Sequence, residues 1–208
     1  MNNKGLLAIA ASACLAMLSQ GAFAAKGFNY TYVDGGYQGI RADSADADGF
    51  ATDLSYGATD HIMVLFGYSH LWQDEAEGLS NVDVDIDEFT IGGGGHYSIT
   101  DRIDLVGSLV YVNQQSSGKA KFPGETTKDR VKGTKEGYEL AVSGRIRAMD
   151  KLELTPLVVY RDVGDFSDTG FGLDAIYKFH KKWSFRGNAT YFSDDSATNL
   201  FLGVRFDM

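Results

Sequence analysis

Two of the four histidines stand beside a hydroxyl that could serve as a nucleophile. His96 and Ser98 are two positions apart, which on a strand puts both side chains on one face about 6.6 Å apart. Histidine and serine in reach of each other are the start of acyl-transfer chemistry, given geometry that aligns them. Ser69 and His70 are adjacent, so on a strand they diverge to opposite faces. Gly92–Gly95 would cradle a phosphate only at the start of a helix. No helical pattern follows it, so the run reads as strand curvature and space for inward neighbours. Asp83, Asp85 and Asp87 share one strand face but lack the glycine that a calcium loop needs after Asp87. Ser44-Ala45-Asp46-Ala47-Asp48-Gly49 fails as well, with Ser44 at the first ligand position and Ser55 at the twelfth. No catalytic residue, metal ligand or cofactor is assigned.

A larger constellation remains: charges at alternating positions, read as facing one interior. It comprises Arg102, Asp104, Glu139, Arg145, Arg147, Glu153, Arg161, Asp174, Lys178, Arg186 and Arg205. The elements that position them must be strands. Trp183, Phe185, Gly187, Ala189 and Tyr191 alternate with Ser184, Arg186, Asn188 and Thr190, and successive side chains of a pleated strand point to opposite faces. Ten such segments are expected, at 28–39, 49–58, 61–72, 84–99, 102–113, 137–148, 151–162, 170–179, 182–192 and 197–208. Tight connections at Thr59-Asp60, Thr100-Asp101, Met149-Asp150 and His180-Lys181 alternate with mostly longer polar ones, the longest running from Gln114 to Glu136. Tyr56–Ile62 and Tyr97–Ile103 repeat one strand–turn–strand unit. Short turns on one side and longer loops on the other mark an up-and-down membrane barrel. Pro156 removes a ladder donor and suggests a bulge in the seventh segment. The segment 84–99 changes face near Glu88–Phe89, which suggests a bulge or an extension above the membrane. Loss of one strand pair would leave eight.

Aromatics mark the ends of the apolar faces: Tyr56, Tyr68, Trp72, Phe89, Tyr97, Tyr111, Tyr160, Phe171, Phe179, Trp183 and Tyr191. Phe89 to Tyr97, Phe171 to Phe179 and Trp183 to Tyr191 each span eight residues, roughly 26 Å of strand. Tilted, that becomes roughly 20 Å of height, near the apolar band of such barrels. Tyr and Trp suit the rims because the ring is buried while the polar atom reaches water. A water-soluble barrel would carry the same alternation turned inside out. On strands one to four the inward positions read as mostly small or neutral: Thr31, Ser55, Ser69, Thr90, Gly92, Gly94 and Ser98. The inward charges of strands five to ten are expected to pair as a plug, with a narrow anion-leaning pore as the alternative.

The chain has 208 residues, 19 Lys+Arg against 28 Asp+Glu and a formal charge of −9, which disfavours nucleic acid as a partner. Its N-terminus carries a short basic start, an apolar run from Gly5 to Leu18, and Ala22-Phe23-Ala24 before Ala25. That is a signal segment over 1–24, too short to span a bilayer. Cleavage after Ala24 removes Cys14, the single cysteine. The barrel then occupies 25–208. Acidic loops carry Asp43, Asp46 and Asp48; Asp74, Glu75 and Glu77; Asp165 and Asp168; Asp194 and Asp195. They read as a solvated rim, with cation-bridged contact to surface lipopolysaccharide as the functional alternative. Lys119, Lys121, Lys128, Arg130, Lys132 and Lys135 make the third large loop basic.

Leu200, Leu202, Val204, Phe206 and Met208 alternate to the last residue. They resemble the terminal signature read by the outer-membrane assembly machinery, with Met208 where an aromatic is usual. Together with Ile99-Thr100-Asp101-Arg102-Ile103 and Gly203-Val204-Arg205-Phe206, the chain resembles the small outer-membrane β-barrel domain family, similar to the OmpA membrane domain, over 25–208. The opening Tyr30–Tyr37 is similar to small exported barrels once proposed as secreted signalling or eliciting proteins. His96 and Ser98 faintly resemble the pair of outer-membrane lipid A deacylases, but Ile99 stands where those have Asn. Omptin-type proteases also have ten strands, yet the long raised strands with their acidic and histidine residues are missing here. The resemblance implies an all-β transmembrane barrel in a Gram-negative outer membrane, in contact with outer-membrane lipid and lipopolysaccharide. Its implied role is non-enzymatic, structural or adhesive.

Overall fold

The computed structural model describes residues 28–42, 46–74, 83–120, 129–194 and 196–208. Every regular element among them is a strand: β1 (Tyr32–Arg41), β2 (Asp46–Gly57), β3 (Ile62–Asp74), β4 (Asp83–Thr100), β5 (Ile103–Ala120), β6 (Asp129–Met149), β7 (Leu152–Val163), β8 (Phe166–Lys178), β9 (Trp183–Phe192) and β10 (Ala197–Asp207). Each pairs antiparallel with its neighbours in sequence, and β10 closes on β1. The strand number is ten, not eight. The segment 1–24 and its cleavage residues Ala22, Ala24 and Ala25 lie outside the described residues. So do Asp43, Glu75, Glu77, Lys121, Lys128 and Asp195.

The wall is staggered. From Asp34, register partners run in one direction through Asp53, Gly67, Thr90, Val112, Gly137 and Val163 to Phe166 on β8. In the other direction they run through Arg205 and Ser184 to Lys178 on the same strand. The two routes meet about 12 residues apart on β8, a stagger that tilts the strands by roughly 40° in a barrel of this size.

Alternation sorts the side chains. Large apolar side chains at the outward positions are exposed, among them Phe50, Tyr56, Leu109, Phe171, Phe185 and Leu202. Polar side chains at the inward ones are buried, among them Asp34, Ser55, His96, Asp104, Arg145, Glu153, Asp174 and Arg205. Leu202 is 66 % exposed and Asp34 1 %. Each large apolar side chain left in water forgoes about 1.5–3 kcal/mol of burial, so the outer belt calls for an apolar cover. This is the reverse of a water-soluble barrel, and the inside-out alternative does not describe the chain.

Of the two readings of β4, the extension holds, and two other local expectations are corrected. β4 passes Glu88–Phe89 with no bulge, pairing from Asp83 to Ser98 without a break in register. The face change is instead an extension: β4, β5 and β6 have 18, 18 and 21 residues, and β1 and β9 only 10. Pro156 leaves a gap in the pairing toward β6 but no register shift; the shift lies between Arg147 and Met149. The β7–β8 connection is tight rather than long, and Gly164 turns it at φ 63°. That left-handed conformation suits glycine, and a Cβ there would meet the Lys135 Cδ at 2.7 Å.

Candidate functional site in the lumen

The interior charges gather in three groups along the barrel axis. At the turn end, the segment before β1 enters the mouth. The Tyr30 ring stacks on His96 with centroids 3.7 Å apart, and its hydroxyl donates to Asp104 Oδ2 at 2.7 Å. Ser98 Oγ donates to Asp104 Oδ1 at 2.7 Å. Arg145 donates to Glu153 Oε2 from Nε at 2.9 Å and from Nη2 at 2.7 Å, and its Nη1 reaches the Asn29 carbonyl at 2.9 Å. The guanidinium groups of Arg145 and Arg147 both lie 4.9 Å from the centre of the Phe28 ring. Phe28, Asn29 and Tyr30 thus act as a stopper held by groups from β4, β5, β6 and β7.

The middle group joins the first and last strands. Asp34 accepts from Arg205 Nε and Nη2, both at 2.9 Å, and from Arg186 Nη1 at 2.6 Å. Arg186 also reaches Asp174 at 2.6 Å and Asp53 at 3.1 Å. Tyr32 lies under Arg205 at 3.5 Å, and Phe201 under Arg186 at 5.2 Å. Nearer the loop end, Arg161 pairs with Glu88 and, at 3.4 Å, with Glu139. Between the middle and upper groups is a cavity of about 330 Å³, whose lining includes Gln38, Asp53, Glu139, Arg161, Arg186 and Asn199.

The structure therefore brings together Asp104, Glu139, Arg145, Glu153, Arg161, Asp174, Arg186 and Arg205, with Arg147 on Phe28. Lys178 stands nearer the rim, 3.6 Å from Asp207. Arg102 is not in the lumen: it is exposed in the β4–β5 turn, where its N–H donates to Thr100 Oγ1 at 3.2 Å and its carbonyl accepts from the Arg147 N–H at 2.9 Å. Strands one to four are not neutral inside, because they supply Asp34, Asp53 and Glu88. Thr31 shares the outward parity of Val33 and Tyr37, and its Oγ1 accepts from the Gly57 N–H at 3.0 Å. With Thr31 read as inward, Asp34 fell on the opposite, outward parity of the first strand. The usable signal was the even-numbered polar series Tyr32, Asp34 and Gln38. With those acids counted, carboxylates outnumber guanidinium groups inside, which opposes an anion-leaning lumen.

His96 and Ser98 do face one way, but both are occupied in the stopper. His70 lies outside, its Nδ1 2.9 Å from Asp87. All the aromatics expected at the rims point outward. Tyr56, Tyr97, Phe179 and Trp183 lie toward the turn end. Tyr68, Trp72, Phe89, Tyr111, Tyr160, Phe171 and Tyr191 lie toward the loop end. Leu200, Leu202, Val204 and Phe206 face out along β10, and the Met208 N–H reaches the Thr31 carbonyl at 3.0 Å.

No protein-family model matches the chain, and no curated protein sequence does. Solved structures do. The beta domain of the Bordetella autotransporter BrkA is similar at a TM-score of 0.52 and 10% identity, over 87% of this chain and 100% of that one. The translocator domain of the autotransporter NalP from Neisseria meningitidis is similar at 0.50 and 10% identity, over 99% and 97%. The likeness is one of fold. Ail, the attachment invasion locus protein of Yersinia pestis, aligns over 86% of this chain and 99% of its own at 13% identity, but at a TM-score of 0.44 it adds nothing to that.

Proposed function

We propose that the chain is an outer-membrane β-barrel of a Gram-negative envelope, with a non-enzymatic structural or surface role in adhesion or envelope integrity. The observation that carries this reading is the pairing of an exposed apolar belt outside with an ion-paired lumen inside. A bilayer satisfies the belt, while the arginine–carboxylate groups and the Tyr30 stopper hold the interior closed. Ten strands lie nearer the side-chain-filled barrels than the roughly 16-stranded channels. In this reading residues 1–24 are the export signal, the short turns and both chain ends face the periplasm, and the loops meet lipopolysaccharide. The β10 alternation serves recognition by the assembly machinery.

Gel mobility of the outer-membrane fraction, boiled and unboiled in SDS, tests the reading. A faster unboiled band that shifts on heating supports it; recovery in the soluble exported fraction with no heat shift overturns it. The cavity favours one second reading, a narrow pore. The surplus of lumen carboxylates makes that pore cation-leaning rather than anion-leaning, and single-channel recording separates it from the plug.

A further inference from the structure

At the loop end β4, β5 and β6 form a projecting sheet whose two sides are paired unequally. β3 accompanies β4 as far as Asp74 against Asp83, and β5 accompanies β6 as far as Ala120 against Asp129. On its other side β6 loses β7 after Gly137 against Val163, because the chain turns back at Gly164 into β8. The last backbone bond on that side runs from the Gly164 N–H to the Glu136 carbonyl, 3.1 Å. Among the described residues, no strand pairs with the open side of 129–135.

In an antiparallel sheet both backbone groups of a residue point to one side, and the next residue's point to the other. Glu136 turns its carbonyl toward β7, so Thr134, Lys132 and Arg130 turn their N–H and C=O groups to the open side. That is about 20 Å of strand edge. Such an edge is a template for one further strand.

Charge selects the strand. Residues 128–135 read Lys-Asp-Arg-Val-Lys-Gly-Thr-Lys, and Lys119 stands in register with Arg130 on the facing strand. Lys132 and Lys135 are exposed. A second copy paired antiparallel about the middle of this edge would set Lys132 against Lys132, and like charges directly opposite destabilise a cross-strand pair. The lysines that reject a second copy favour an acidic strand. We propose that the open edge of β6 over 129–135 accepts an extended acidic segment of a partner protein as an added β-strand.

The test uses the full mature chain in nanodiscs of neutral phospholipid, titrated with a labelled ten-residue peptide of alternating Glu and Val. A Lys–Val peptide of the same length is the control. The acidic peptide binds, and the basic one binds at least tenfold more weakly. Thr134→Pro removes an N–H from the open side and spares the bonds to β5, weakening binding at least tenfold. N-methylation of the central peptide amides does the same without altering the protein. Equal binding of the N-methylated peptide means charge attraction alone and overturns strand addition. No binding, or equal binding of the basic peptide, overturns the proposal outright. The heat shift of the same sample reports the barrel separately, so failure of the outer-membrane reading is told apart from failure of the edge.

Discussion

Arg205 and Asp34 meet across the seam that closes the barrel. They are register partners on β10 and β1, and the guanidinium grips both carboxylate oxygens at 2.9 Å although 171 positions separate them in the chain. The last strand to be made thus locks onto the first through a buried, two-point ion pair. Arg186 binds the same carboxylate at 2.6 Å from β9, so Asp34 holds three strands together.

Removing one side of this contact leaves a buried charge short of its partner, which costs about 3–5 kcal/mol. Arg205→Met is expected to lower the temperature at which the unboiled band converts to the boiled one. The double variant Asp34→Asn/Arg205→Met recovers part of that loss, since neither charge is then stranded. A conversion temperature unchanged in Arg205→Met would show that the seam is held by backbone pairing alone.

Closure of the turn-end mouth depends on Tyr30 and Arg145. In planar bilayers the native chain is expected to show no resolved conductance steps, whereas Tyr30→Ala/Arg145→Ala gives small, cation-preferring ones. Well-resolved steps from the native chain that change on Arg145→Ala alone would sink the plug.

The two tryptophans, Trp72 and Trp183, both face outward and are both 42 % exposed. They lie near opposite ends of the wall, where an indole buries its ring and keeps its N–H wet. Single-tryptophan variants, Trp72→Phe and Trp183→Phe, are each expected to show blue-shifted emission in vesicles. Each is quenched more by lipids brominated near the headgroup than at the chain end. Emission like that of indole in water from both variants would remove the apolar belt from the bilayer.

Asp168 ties down the β9–β10 connection. Its carboxylate accepts from the Asp194 N–H at 2.9 Å and from Ser193 Oγ at 3.2 Å, and the residue is 3 % exposed. Asp168→Ala strands those donors, a local loss of about 1–3 kcal/mol. Limited proteolysis should cut near 193–196 several-fold faster, with the heat shift of the whole barrel unchanged. Equal cleavage rates would mean that the loop is held elsewhere.

Much of this architecture was legible along the chain. Ser184–Tyr191 alternates without a break, and Thr100-Asp101 and Met149-Asp150 announce their turns, because a pleat and a tight turn are local events. Errors arose where a residue's meaning depended on distant partners. Arg102 has the inward parity of Asp104, yet it falls in a turn that the strand has already left. Glu88 and Phe89 resemble a change of face, but they belong to a strand that outruns the belt and exchanges an apolar exterior for a wet one.

Alternation by itself determined that the wall has a polar side and an apolar side, since the pleat sends successive side chains in opposite directions whatever the rest of the chain does. Which carboxylate neutralises which arginine was decided only by the closed barrel. The stagger of its strands sets the height of every inward residue, bringing Asp34 beside Arg186 and Arg205 and Tyr30 beside Asp104. It also leaves the upper edge of β6 without a neighbour.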